Sequence, residues 1–241
     1  VNSMSFSTFV IGLSRHSVLV IFAAMIFMFV FYFSSQLVFA DVADPRIYTN
    51  NTQPYGIPYN QWAAKWWQWT QSIPGPVHPR DHPSEQNCQV AQAGPVWFLA
   101  DLLSGTQMRS CTIPASESIF VSLVGGFCGS DSAGVTNDES LKHCASAGDE
   151  YATVQATLDG REIKNLDQYR ISYGPFVINY GNSNIYGHRA GTARGDVDGY
   201  YLFLKPLTAG QHVLDLKTSV LNPVDSSYNY SADLIYHITT P

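Results

Sequence analysis

Four of the chain's five tryptophans stand within eight positions, at 62, 66, 67 and 69, inside the stretch YNQWAAKWWQWTQSIPGP (59–76). Side chains this large are costly to leave in water, so the stretch has few ways to fold. Tyr59, Trp62, Trp66, Trp69 and Ile73 recur at 3-4-3-4 spacing, which brings them to one face of an α-helix. The pattern predicts a helix from Tyr59 to about Gln71, with Asn60 as its N-cap, that stops before the Ile73-Pro74-Gly75-Pro76 breaker. Lys65 and Gln68 fall toward the other side. Trp67 lies on the flank, about 140° from Trp62. The helix is therefore expected to bury Trp62, Trp66 and Trp69 against a core, which leaves Trp67 as the candidate for ligand contact.

The N-terminal region has a different character. Arg15 and His16 precede an apolar run, VLVIFAAMIFMFVFYF (18–33), and a small-residue pattern, VFA followed by DVADP, ends at Ala40. This is the grammar of a secretory signal peptide over residues 1–40. Counted through residues 18–39, the run also has the length of an uncleaved membrane anchor. Both readings export the remainder, to the cell exterior or periplasm, or to the outer face of the cytoplasmic membrane. Valine at position 1 fits a GTG start codon and a prokaryotic gene.

Beyond residue 40 the chain carries all nineteen acids and twelve of the thirteen bases, a net charge of −7 with no cluster of Lys or Arg. Phosphate backbones require such clusters, so nucleic acid is not an expected partner. An envelope protein or a polysaccharide is. The four cysteines, Cys88, Cys111, Cys128 and Cys144, all lie in this part, and an even count in an exported chain reads as two disulfides. Three connectivities are open. Cys88–Cys111 and Cys128–Cys144 are favoured because each pair flanks a local excursion. Asn50-Asn51-Thr52 and Asn229-Tyr230-Ser231 match the glycosylation acceptor pattern at Asn50 and Asn229.

Residues 41–58 are polar and proline-punctuated and read as a linker or extended arm. After the helix come short runs rich in β-branched and aromatic residues. They are PVWFLADLL and RSCTIP, which frame a turn at Ser104-Gly105-Thr106, then SIFVSLVGG, ATVQATL-DG-REIKNL, YRISYGPFVIN, YYLFLKPL-TAG-QHVLDLKTSV and ADLIYHIT. Asp159-Gly160 is the dipeptide that a two-residue type I′ hairpin prefers. A polar excursion over 131–150 holds one short helix near Glu139–Ala145. Eight or nine strands without crossover helices predict a mainly β fold. The expected architecture of residues 59–241 is an antiparallel, jelly-roll-like β-sandwich with one Trp-rich amphipathic helix at its start.

The segments YxxWxxxWWQW…SIP, CxVxQxGPVWFLA, RSCTIP and DGYYLFLKPLTAGQHVLDL together resemble a family of exported bacterial and archaeal proteins described only as hypothetical. The resemblance runs from Tyr59 to the C-terminus and implies export, a mostly β domain and the opening tryptophan helix. It implies no activity. At VGGFCG (124–129) the chain departs from the family pattern, which places polar residues before the cysteine.

Motifs for chemistry are sparse. His78, Asp81 and His82 in HPRDH carry metal-ligand chemistry for zinc or copper, with further ligands to come from His188, His212 or His237. Asp196 and Asp198 in GDVDGYY do not follow an EF-hand loop and suit a turn. A blue-copper centre is disfavoured, since Met108 is the sole methionine after residue 40. The sequence has no G-x-S-x-G elbow, no H-E-x-x-H and no Walker loop, and Glu85, Glu117 and Glu150 look like ordinary surface acids. No catalytic residue and no cofactor is assigned. The expected function is a non-catalytic binding, accessory or structural module of the cell envelope. A carbohydrate-binding or carbohydrate-active protein is the alternative, and a metal-binding periplasmic or extracellular protein the second.

Overall fold

A computed structural model of the chain describes residues 44–241. The signal or anchor segment expected over residues 1–40 lies outside the described residues. Among those residues, no helix is long and apolar enough to cross a membrane.

The chain is mainly β. Its strands are β1 (Val96–Leu99), β2 (Gly105–Thr112), β3 (Ser118–Gly129), β4 (Ala152–Leu158), β5 (Arg161–Glu162), β6 (Arg170–Tyr180), β7 (Gly191–Leu204), β8 (Gly210–Val220) and β9 (Tyr230–Thr240). The helices are α1 (Tyr59–Ser72), α2 (Glu85–Cys88) and α3 (Asp138–Ser146). One sheet has the order β1-β3-β7-β6, the other β2-β9-β8-β4-β5.

The antiparallel expectation needs correction. β1 pairs with β3 in parallel, and so does β2 with β9, which makes both sheets mixed. The reason is that β1 and β2, consecutive in the chain, join different sheets instead of forming a hairpin across residues 104–106. Likewise β7 and β8 separate at 205–209 into the two sheets. The Asp159-Gly160 hairpin does form, with φ of 55° and 71° at its two turn residues.

Both sheets feed one apolar core. Ile119 and Val121 of β3 share it with Leu214 and Leu216 of β8 and with Leu234 and Ile238 of β9. Their neighbour Phe120, on the opposite side of the pleat, meets α1, where its ring packs against Tyr59. An extra residue between Ser122 and Val124 bulges β3. The Leu123 carbonyl in the bulge accepts a 2.9 Å hydrogen bond from Thr218 Oγ of the other sheet. Arg109 of β2 and Tyr236 of β9 add a second link, both donating to the Ala100 carbonyl just past β1.

α1 begins at Tyr59 after Pro58 and no side chain caps it, so Asn60 sits inside the helix and not at its N-cap. Pro58 can play that part because it has no N–H to leave unpaired and fixes the turn into the helix. Tyr59, Trp62, Trp66, Trp69 and Ile73 are all buried. The described part of the arm, residues 44–58, is not a free linker. Ile47 is buried and bridges Leu204, and Tyr48 donates to the Phe203 carbonyl, along the margin of β7 that β6 leaves open beyond Tyr200.

Two disulfides join Cys88 to Cys111 and Cys128 to Cys144. The first ties α2 to β2, the second α3 to the end of β3. α3 carries a reciprocal cap between Asn137 and Ser140.

Trp66 is fully buried, and its indole N–H donates to the Leu99 carbonyl of β1 at 2.9 Å. Trp66→Ala should cost about 3–5 kcal/mol of unfolding free energy, from the cavity and the orphaned carbonyl together. Urea denaturation of the variant beside the parent measures it.

Candidate functional site

The flank of α1 opposite Trp67 borders a depression in the surface. It is an open groove of ≈ 480 Å³ whose lining includes Tyr55, Trp62, Lys65, Trp69, Ala93 and Phe98. Trp62 and Trp69, seven residues apart on one helix stripe, form its floor. One wall is the short 3₁₀ turn Pro54–Gly56, in which Tyr55 has φ 57° and lies 45% exposed. The other is the loop 89–95, turned by Ala91 at φ 55° and Gly94 at φ 83°.

Hydrogen bonds hold both walls to the helix. Trp62 Nε1 donates to the Pro54 carbonyl at 3.2 Å, and Trp69 Nε1 to the Val90 carbonyl at 3.1 Å. Tyr55 Oη meets Ser118 Oγ at 2.9 Å. Gln92 steadies the loop by donating to the Cys88 and Phe98 carbonyls and accepting from the Phe98 amide. On the helix, Gln68 donates to the Asn179 carbonyl and accepts from its amide, while Ser72 Oγ donates to the Trp69 carbonyl. The groove is therefore preformed and mostly hydrocarbon, the usual make-up of a small-molecule site.

Trp67 is elsewhere. Only 5% exposed, it donates from Nε1 to Tyr201 Oη at 2.8 Å and stacks on Phe127 with ring centres 4.9 Å apart. Its ring is covered by Phe127 and Tyr186 and lines no part of the groove, which corrects the expectation of ligand contact there. Phe127 of β3 and Tyr201 of β7 supply the cover that the helical spacing did not reveal.

The HPRDH loop does not assemble a metal site. His78 is fully buried, with Nε2 at 2.9 Å from Thr70 Oγ and Nδ1 accepting from the Arg80 amide. Burial, reinforced by Arg80, lowers its pKa to about 4, so it is held neutral with both ring nitrogens committed. Asp81 pairs with Arg80, and His82 is exposed. No group of three or more metal-ligating side chains comes together among the described residues. Asn50 and Asn229 are exposed, and their side-chain amides bond to Gln168 and Asn222 respectively.

Two charged clusters lie elsewhere, and the first corrects the turn expected at Asp196 and Asp198, which stand inside β7. Beneath α3, Asp149, Asp196 and Asp198 are all buried. Asp198 pairs with Arg170 at 2.8 Å, whereas Asp149 Oδ2 and Asp196 Oδ1 have no partner. Burial, with Asp198 nearby, raises the Asp149 pKa to about 8, and burial raises that of Asp196 to about 6. Gly126 makes this closeness possible, for a Cβ there would stand 1.9 Å from the Ala145 carbonyl oxygen. The second cluster is Asp131, which accepts from Tyr180 Oη and bonds His188 Nδ1, each at 2.9 Å, while the imidazole stacks on the Tyr180 ring. Neither cluster opens onto the groove.

No protein-family model matches the chain, and no curated protein sequence is similar to it.

A carboxyl whose pKa rises from about 4 unfolded to about 8 folded binds its proton more tightly in the native state. Its contribution to stability is present below pH 4 and is lost as pH climbs through 8. Asp149→Asn removes that loss, so its unfolding free energy should gain on the parent's by more than about 1 kcal/mol between pH 5 and pH 8. Denaturant titrations across this range test the sign.

Proposed function

We propose that the chain is an exported, non-catalytic binding module of a prokaryotic cell envelope, a disulfide-stapled β-sandwich that takes a small apolar ligand in the groove beside α1. The observation that carries this reading is the preformed groove itself, with an apolar floor and walls fixed to the helix. The two disulfides suit an oxidising compartment outside the cytoplasm. In this reading residues 1–40 direct export as a cleaved signal or, through residues 18–39, a retained anchor. The resemblance to exported proteins of unassigned activity supports the same placement.

The geometry favours this over a carbohydrate module. Sugar platforms need exposed aromatic faces, and a glycosidase needs two carboxylates about 5–10 Å apart across a groove. All four tryptophans of α1 are buried, and no acid lines the groove.

A neutral fluorescent apolar probe, N-phenyl-1-naphthylamine, should bind with a Kd on the order of 10 µM and a blue-shifted emission. Ala93 is an exposed residue on the groove wall. Ala93→Trp should fill the space and weaken binding at least about tenfold. A probe that fails to bind, or binds the plugged variant equally well, would refute the groove reading.

A further inference from the structure

The polar side chains around the groove separate into those with a hydrogen-bond partner in the chain and one without. Among the lining side chains, the Tyr55 hydroxyl, the indole N–H groups of Trp62 and Trp69, the Gln68 amide and the Ser72 hydroxyl all have partners within the chain. Lys65 is the exception. It is exposed and pairs with no acid among the described residues. Its Nζ stands 5.7 Å from the centre of the Trp62 ring, at the groove floor. It is also the only charged residue of α1, in a chain of formal net charge −6.

A site built this way discriminates by what it lacks. A polyhydroxylated ligand would lose its water hydrogen bonds and find a single ammonium, with no side-chain acceptor left unpartnered, in exchange, which is unfavourable. A cationic head group would meet Lys65 across an apolar surface. An apolar body with a single anionic head group meets hydrocarbon along its length and a positive charge at one end. Resting on the groove reading, we infer that the ligand class is a single-chain amphiphile with a carboxylate head, the carboxylate facing Lys65 and the chain lying over Trp62, Trp69 and Phe98. The cation–π contact keeps the ammonium at the floor, where the neighbouring ring reduces its hydration and strengthens a pairing that would be weak on an open surface.

Three twelve-carbon amphiphiles test it by isothermal titration calorimetry, the two ionic ones kept below their micellar concentrations and the alcohol below its solubility limit. They are laurate, dodecanol and dodecyltrimethylammonium, each titrated into the parent, Lys65→Met and Lys65→Glu. The parent should bind laurate roughly fivefold or more tightly than dodecanol, and dodecyltrimethylammonium most weakly. Lys65→Met, which keeps the helix propensity and the apolar stem, should bring laurate and dodecanol to equal affinity. Lys65→Glu should reverse the order in favour of the cation. Equal binding of laurate and dodecanol by the parent, or a laurate preference that survives Lys65→Met, would overturn the carboxylate assignment and leave the groove standing. Failure of all three to bind would overturn the assignment together with the groove.

Discussion

Every tryptophan of α1 is anchored by its indole N–H, and no two anchors lie in the same part of the chain. Trp62 reaches the N-terminal arm, Trp66 the end of β1, Trp67 the Tyr201 hydroxyl in β7, and Trp69 the loop before β1. A buried indole needs an acceptor, and satisfying four of them fixes the helix against four separate segments. The helix thereby sets the spacing of the arm, the edge strand and the loop. Its surface chemistry follows from the same bonds. With the donors of Trp62 and Trp69 spent on holding the walls, the groove between those walls is left mostly with hydrocarbon and one ammonium.

The parts of this arrangement that were legible from sequence are the parts governed by local rules. The 3-4-3-4 spacing placed α1 within a residue of its end, Asp159-Gly160 located the hairpin, and the polar excursion held its short helix near the expected place. Sheet membership was not legible. Whether β1 and β2 pair with each other or part into different sheets depends on partners elsewhere in the chain, β3 for β1 and, more than a hundred residues away, β9 for β2, and neither strand's pattern encodes that choice. The arm was misread for a related reason: Ile47 is one apolar residue among polar ones, and only the exposed margin of β7 makes it a core residue.

The site divides in the same way. Lys65 could be singled out in sequence as the lone charge of the helix, but the groove requires the two loops, each turned by residues at positive φ and placed by tertiary hydrogen bonds. Trp67 shows the limit of periodicity, which ranks the faces of a helix but cannot say how many neighbours will cover it. His78 and Asp149 illustrate it in the interior. One is a metal-ligand type held neutral by burial, the other an acid in a polar stretch whose burial depends on how closely α3 approaches Gly126.

The glutamines flanking the groove have a consequence at the level of self-association. Gln68 and Gln92 each exchange both hydrogen bonds with one backbone residue, Asn179 on β6 and Phe98 on β1. These strands are the two outer strands of the four-stranded sheet. A primary amide that donates to a carbonyl and accepts from the amide of the same residue imitates one rung of a neighbouring strand. An unpaired outer strand is otherwise a template on which another chain can add. The sheet thus ends, on both sides, against a side chain standing in for backbone, and a second copy seeking to extend it would first have to displace a glutamine.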